Sequence, residues 1–172
     1  DTDCNIYLSL IPDKNYFLAE SSHHLSMDYE KFFSMMREEM PYAQYIDITQ
    51  LLNEQDYYKT DVHWRQENIV DVTEKIASEM GITLSGKYEV KTLEEDFYGV
   101  YYGQAALPMD AEPMYILKSP LLEGCTVINH ENGKASKVYD MSKLGGKELY
   151  DVYLSGPVSL LEIQNPAAKT DR

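Results

Sequence analysis

The chain has 172 residues, 44% hydrophobic and 12% aromatic, which suits one domain with a buried core and excludes a disordered chain. Fifteen Lys and Arg face 29 Asp and Glu, for a formal net charge of −14, so a phosphate backbone or an anionic membrane surface is an unfavourable partner. No stretch approaches the roughly 20 apolar residues of a membrane span, and two cysteines are too few for a disulfide framework or a structural zinc site.

From the N-terminus, Asn5 to Ile11 read as a buried strand that Pro12 and Asp13 end. Ser26 or Asp28 can cap the following helix. Its face carries Tyr29, Phe32, Phe33, Met36 and Met40, with the methionines as core filler, and Pro41 stops it. Tyr45 to Ile48 form a short strand leading into a Leu51-Leu52 turn of helix. A loop follows, then a helix from about Glu67 to Met80 with Ile69, Val72, Ile76 and Met80 as its buried stripe and Gly81 as its stop. The order of strand, helix, strand, loop, helix is that of an α/β sheet protein.

From about Leu84 the texture changes to short β-like runs between turns. These are Tyr88–Val90, Phe97–Tyr102, Met114–Leu117, Thr126–Ile128 and Lys137–Tyr139, with Asn132-Gly133 as a hairpin signal. The expected organisation is one domain: residues 1–83 as part of an α/β core, 84–157 as a β-rich insertion, and 158–172 as a return to the core. Residues Pro166–Arg172 form a polar end, which reads as truncated. Cys4 and Cys125 read as two separate thiols unless the fold brings them together.

The chemistry concentrates in the loop Tyr57-Tyr58-Lys59-Thr60-Asp61-Val62-His63-Trp64. A carboxylate two residues from an imidazole can reach its ring, which makes two-thirds of a Ser-His-Asp apparatus. No serine in a recognisable nucleophile turn accompanies it. The plain alternative is structural, with Asp61 capping a helix and His63 packing beside Trp64. A mixed metal site of Asp61, His63 and His23 or His24 is a further alternative, but nothing else has ligand spacing. His23, His24 and His130 read as solvent-exposed, and no metal is expected. Trp64 reads as an anchor for the loop and Lys59 as a solvated cation. The chain holds fifteen tyrosines against four phenylalanines. Most of these read as half-buried strand residues, but their flat faces and polar tips also suit a carbohydrate-facing cleft.

The segment YYKTDVHW with the helix after it resembles the signature of the DHHW family, bacterial relatives of the SGNH hydrolases and of alginate O-acetyltransferase-like proteins. Val62 departs from the family's second position, where the acetyltransferase relatives also vary. IPDKNYFLAE at 11–20, DFYGVYYGQAAL at 96–107 and YDVYLSGPVSLLEIQNP at 150–166 resemble further family segments in the same order. The resemblance implies a flavodoxin-like α/β/α core, incomplete in this chain, and a Ser-His-Asp site acting on acyl esters such as O-acetyl groups of surface polysaccharide.

By that resemblance His63 is the general base and Asp61 orients its ring. The serine, on an Asp-Ser-Phe or Asp-Ser-Tyr turn, is expected past Arg172. Without it the 172 residues are not expected to hydrolyse esters. Tyr57, Tyr58, Tyr98 and Tyr101, with Tyr102, are the candidate substrate-lining residues, and Gly99 either allows a close backbone approach or makes a plain turn. No cofactor is implied beyond a transferase's acyl donor. The implied partner is an acylated glycan, at the cell envelope or outside the cell, and an incomplete sheet edge would favour self-association. The competing expectation is a binding or assembly module that keeps the fold and uses its tyrosine-rich surface.

Overall fold

The computed structural model describes residues 4–84, 86–106 and 108–167. The last residue of the 96–107 segment and most of the polar end at 166–172 lie outside the described residues. The described residues form a mixed α/β fold with five α-helices and three small sheets, divided between two compact units. The first holds the chain to Tyr58 and resumes at Val62; the second takes Lys59–Asp61 and the chain from Gly86 onward.

In the first unit, β1 (Tyr7–Leu8) and β2 (Gln44–Tyr45) pair in parallel, Tyr7 opposite Gln44 and Leu8 opposite Tyr45. The strand expected over Asn5–Ile11 is thus two residues long. Ile6 and Ile11 are exposed, while Leu10 and Pro12 are buried. Two helices connect the strands. The first, α1 (Lys14–Ser22), was not expected: Asp13 caps it, its carboxylate accepting from the N–H groups of Asn15 at 2.9 Å and Tyr16 at 3.2 Å. Ala19 is its buried residue, so it shows no apolar periodicity. The second, α2 (Tyr29–Glu39), follows the reading. Asp28 accepts from Lys31 N–H at 3.0 Å, and Tyr29 and Phe33 are buried with Leu10, packed by Phe32 and Met36.

Past β2, Ile46, Ile48 and Leu52 form a second cluster with Val72, against which Phe17, Trp64, Ile69 and Ile76 pack. Burying each such side chain stabilises by roughly 1.5–3 kcal/mol before conformational entropy is counted. Val72 and Ile76 lie on α3 (Val70–Glu79), which ends as Gly81 turns at φ 73°.

In the second unit, β3 (Glu89–Phe97) and β4 (Glu112–Lys118) pair antiparallel from Glu89 opposite Lys118 to Phe97 opposite Glu112, with register shifts either side of Glu94. Helix α4 (Val100–Ala105) lies between them, where the sequence suggested a strand continuing from Phe97 to Tyr102. Helix α5 (Pro120–Glu123) starts at Ser119, whose hydroxyl oxygen accepts from Leu122 N–H. Strand β5 (Thr126–Asn129) is flanked by β6 (Lys134–Ser136) and β7 (Leu161–Gln164), both antiparallel.

The Asn132-Gly133 hairpin joins β5 to β6 as expected, with Gly133 at φ 70°. Lys137–Tyr139 is not a strand; Tyr139 makes an isolated bridge to Tyr153. Leu161–Gln164, in the stretch expected to rejoin the first sheet, pairs with β5 instead. Phe97, Met114, Val127 and Val152 fill this unit's interior.

Cys4 is exposed and Cys125 buried, with no disulfide between them. Among the described residues no helix is long and apolar enough to cross a membrane.

Candidate functional site

The loop of Tyr57 to Trp64 is closed at its base within the first unit. Tyr57 and Trp64 form an antiparallel bridge, Tyr58 N–H donates to His63 O at 3.2 Å, and Arg65 N–H donates to Asp56 O at 2.7 Å. Below the bridge, Asp56 closes a capping box. Its Oδ2 accepts from Asn53 N–H and Nδ2 at 2.7 and 2.8 Å, and burial pushes its carboxyl above the usual aspartate range.

Tyr57 and Tyr58 are buried, at 4% and 0% exposure. Tyr57 Oη donates to Pro12 O, and burial raises its phenol's pKa above 10.0. The Tyr58 carbonyl accepts from Lys14 Nζ at 2.6 Å, and the Arg65 guanidinium lies 4.8 Å from the Tyr58 ring centroid. Both tyrosines were expected to line a cleft. Their burial gives them a different place: they fix the loop to residues 12–14. The structural partner of IPDKNYFLAE is therefore the loop itself.

Lys59, Thr60 and Asp61 belong to the second unit, where the contacts are denser. The Glu112 carboxylate accepts from Lys59 N–H at 2.9 Å, Thr60 N–H at 2.8 Å and Thr60 Oγ1 at 3.0 Å. Thr60 Oγ1 in turn accepts from Gly99 N–H at 3.0 Å, and Thr60 O accepts from Tyr101 N–H at 3.0 Å. Asp61 Oδ2 accepts from Val100 N–H at 2.9 Å. Thr60 and Asp61 are fully buried and Glu112 is 7% exposed, so these bonds meet the demand of polar groups withdrawn from water.

The approach is close enough to require glycine at position 99. A Cβ built there would lie 2.3 Å from Asp61 Cβ and 2.5 Å from Thr60 O. This decides between the two readings of Gly99 in favour of close approach.

Asp61 thus bonds the first N–H of α4, 39 residues away. His63 is exposed. Tyr98 and Tyr102 are exposed at 45% and 41%, with ring centroids 4.6 Å apart, whereas Tyr101 is partly buried and reaches the loop through its backbone. Among the described residues no three His, Cys, Asp or Glu side chains gather so as to hold a metal ion, so the arrangement of Asp61 and His63 with His23 or His24 does not assemble.

Glu112, Thr60 and Lys14 are the positioning residues that the sequence reading missed. Glu112 carries no local signal, since it is one of 29 acidic residues and its partners lie 52 and 53 positions away.

No family model, no curated protein and no solved structure matches the chain.

Proposed function

We propose that the chain supplies the Asp-His half of a Ser-His-Asp acyl-transfer site in an SGNH-like protein that hydrolyses or transfers O-acetyl groups on surface glycans. In this reading His63 takes the proton of a serine outside these residues, and Asp61 orients the imidazole and stabilises its protonated form. The observation that supports it most is the bonding of the Tyr57–Asp61 loop. Residues 12–14 and 99–101, which lie in two of the segments that carry the DHHW resemblance, are hydrogen-bonded to it on opposite sides in sequence. The parallel β1–β2 pair with helices between its strands is the kind of crossover that a flavodoxin-like core is built from. Val100 N–H holds the Asp61 carboxylate, and Glu112 anchors the neighbouring Thr60, which is the preorganisation needed by a carboxylate that orients a base.

The test uses the full-length protein. Hydrolysis of p-nitrophenyl acetate is measured for the wild type, His63→Ala and Asp61→Asn. The expected outcome is a fall in kcat of about 10²–10⁴ for His63→Ala and a loss of similar order for Asp61→Asn. Equal rates in all three would remove the pair from the chemistry.

A binding module is the second reading, and the exposed Tyr98–Tyr102 pair favours it. Two adjacent aromatic faces suit stacking on sugar rings. Double substitution of Tyr98 and Tyr102 by Ala should then abolish glycan retention, whereas His63→Ala should leave retention intact.

A further inference from the structure

The second unit contains a cleft of about 670 Å³ that the proposed chemistry does not use. It lies along β6 and the residues after it, reaching Lys143 on one side and Ser155 on another. Its size falls within the roughly 300–1,000 Å³ typical of small-molecule sites.

The hydrogen-bonding capacity of its wall is lopsided. Asp140 is its carboxylate, and both oxygens are engaged: Oδ1 accepts from Ser142 N–H at 3.1 Å and Ser142 Oγ at 2.6 Å, and Oδ2 from Ser155 Oγ at 2.8 Å. The side-chain oxygens of Asn129 and Asn132 accept from the N–H groups of Glu131 and Lys134, which leaves two amide NH₂ groups as donors. Lys137 donates to the carbonyls of Glu123 and Cys125, both at 3.2 Å. Lys134 and Lys143 form no ion pair among the described residues.

What the wall still offers is therefore two ammonium groups and two amide donors. In a chain of net charge −14, a cleft with three lysines and one engaged aspartate is not the average surface. With Lys134 and Lys143 in no ion pair among the described residues, and Lys143 acting on Asp140 through its charge, such a wall favours a ligand rich in acceptors and negatively charged.

The backbone gives an independent sign of construction. Leu154 and Ser155 are consecutive non-glycine residues in the left-handed region, at φ 56° and 68°. Leu154 N–H donates to Val138 O at 2.9 Å, and the Ser155 hydroxyl is held by Asp140. Such strain persists where surrounding contacts over-determine it, and it concentrates at ligand sites.

We propose that this cleft binds a small oxyanion ligand, a phosphate or carboxylate group on a sugar-sized body, gripped by Lys134 and Lys143 with Asn129 and Asn132 as neutral donors. Asp140 and Ser155 shape the wall and do not contact the anion.

The 172-residue chain is titrated by amide NMR with inorganic phosphate, glucose 6-phosphate, glucuronate and glucose. Saturable shifts centred on residues 129–143 and Ser155 are expected with the three anions and not with glucose, weakening as salt rises. Tighter binding of either sugar anion than of inorganic phosphate assigns the sugar-borne group, and equal binding assigns the oxyanion alone; both support the site. The double variant Lys134→Ala, Lys143→Ala should weaken binding at least about tenfold while unperturbed shifts elsewhere show that the fold is kept. The proposal is overturned by no saturable shift with any anion, by glucose binding as tightly as its phosphate, or by anion binding indifferent to the double variant.

Discussion

Glu112 and Asp140 do the same work in opposite surroundings. Each carboxylate joins segments that are distant in sequence, Glu112 by accepting from Lys59 and Thr60, Asp140 by accepting from Ser142 and Ser155. Glu112 does so in a buried place beside fully buried Thr60 and Asp61, whereas Asp140 does so on the wall of a cleft. The first leaves little room for a ligand and makes a rigid support. The second lies on a wall that three lysines also line. One acceptor type therefore anchors the Tyr57–Trp64 loop in one place and shapes part of a cleft wall in the other, and the nearby packing sets which.

The largest effect is expected at Gly99. Gly99→Ala places a methyl group inside contact distance of Asp61 and Thr60, and a cost of about 3 kcal/mol or more is expected in urea unfolding. A change within 0.5 kcal/mol would mean that the Asp61 segment moves aside freely and is no rigid support. Glu112→Gln is expected to be next. It keeps the shape but removes the charge and turns one acceptor into a donor facing N–H groups, for a loss of about 2 kcal/mol in the same measurement.

Asp140→Asn should cost less, about 1 kcal/mol, because water can replace part of the lost bonding. The pH dependence isolates the contribution of Asp140. The bonds from Ser142 and then Ser155, with Lys143 nearby, hold the Asp140 carboxyl below its ordinary 3.8. A lowered folded-state pKa means that the folded chain takes up this proton less readily than the unfolded chain. The stabilisation is thus full above 3.8 and is lost as pH falls through the lowered value. The amide shifts of Ser142 and Ser155 should titrate there in the wild type and lose that step in Asp140→Asn; an unchanged titration would mean that another group is responsible.

The local elements were legible where one short-range cause dominates. Asp28 before an apolar stripe gave α2, Gly81 marked the end of α3, and Asn132-Gly133 gave the β5–β6 hairpin. Legibility failed where the cause is distant. Helix α1 has a good cap but no apolar stripe, so its polar face hid it. The tyrosines of α4 favour a strand by local preference, whereas the start of the helix depends on Gly99 and on the Asp61 carboxylate 39 residues away. Tyr57 and Tyr58 looked like cleft residues from their place beside the motif, yet burial assigns them to holding the loop.

The sequence alone carried the acidic α/β character, the Asp28-capped helix α2, the glycine stop of α3, the hairpin and the close spacing of Asp61 and His63, because each depends on charge count or on residues a few positions apart. The tertiary structure alone decided that Asp61 is buried and bonded to Val100, that Glu112 and Lys14 support its loop, and that Lys134 and Lys143 line one cleft. Hydrogen-bond partners dozens of residues apart leave no periodic trace in the chain, since only burial makes such pairings necessary.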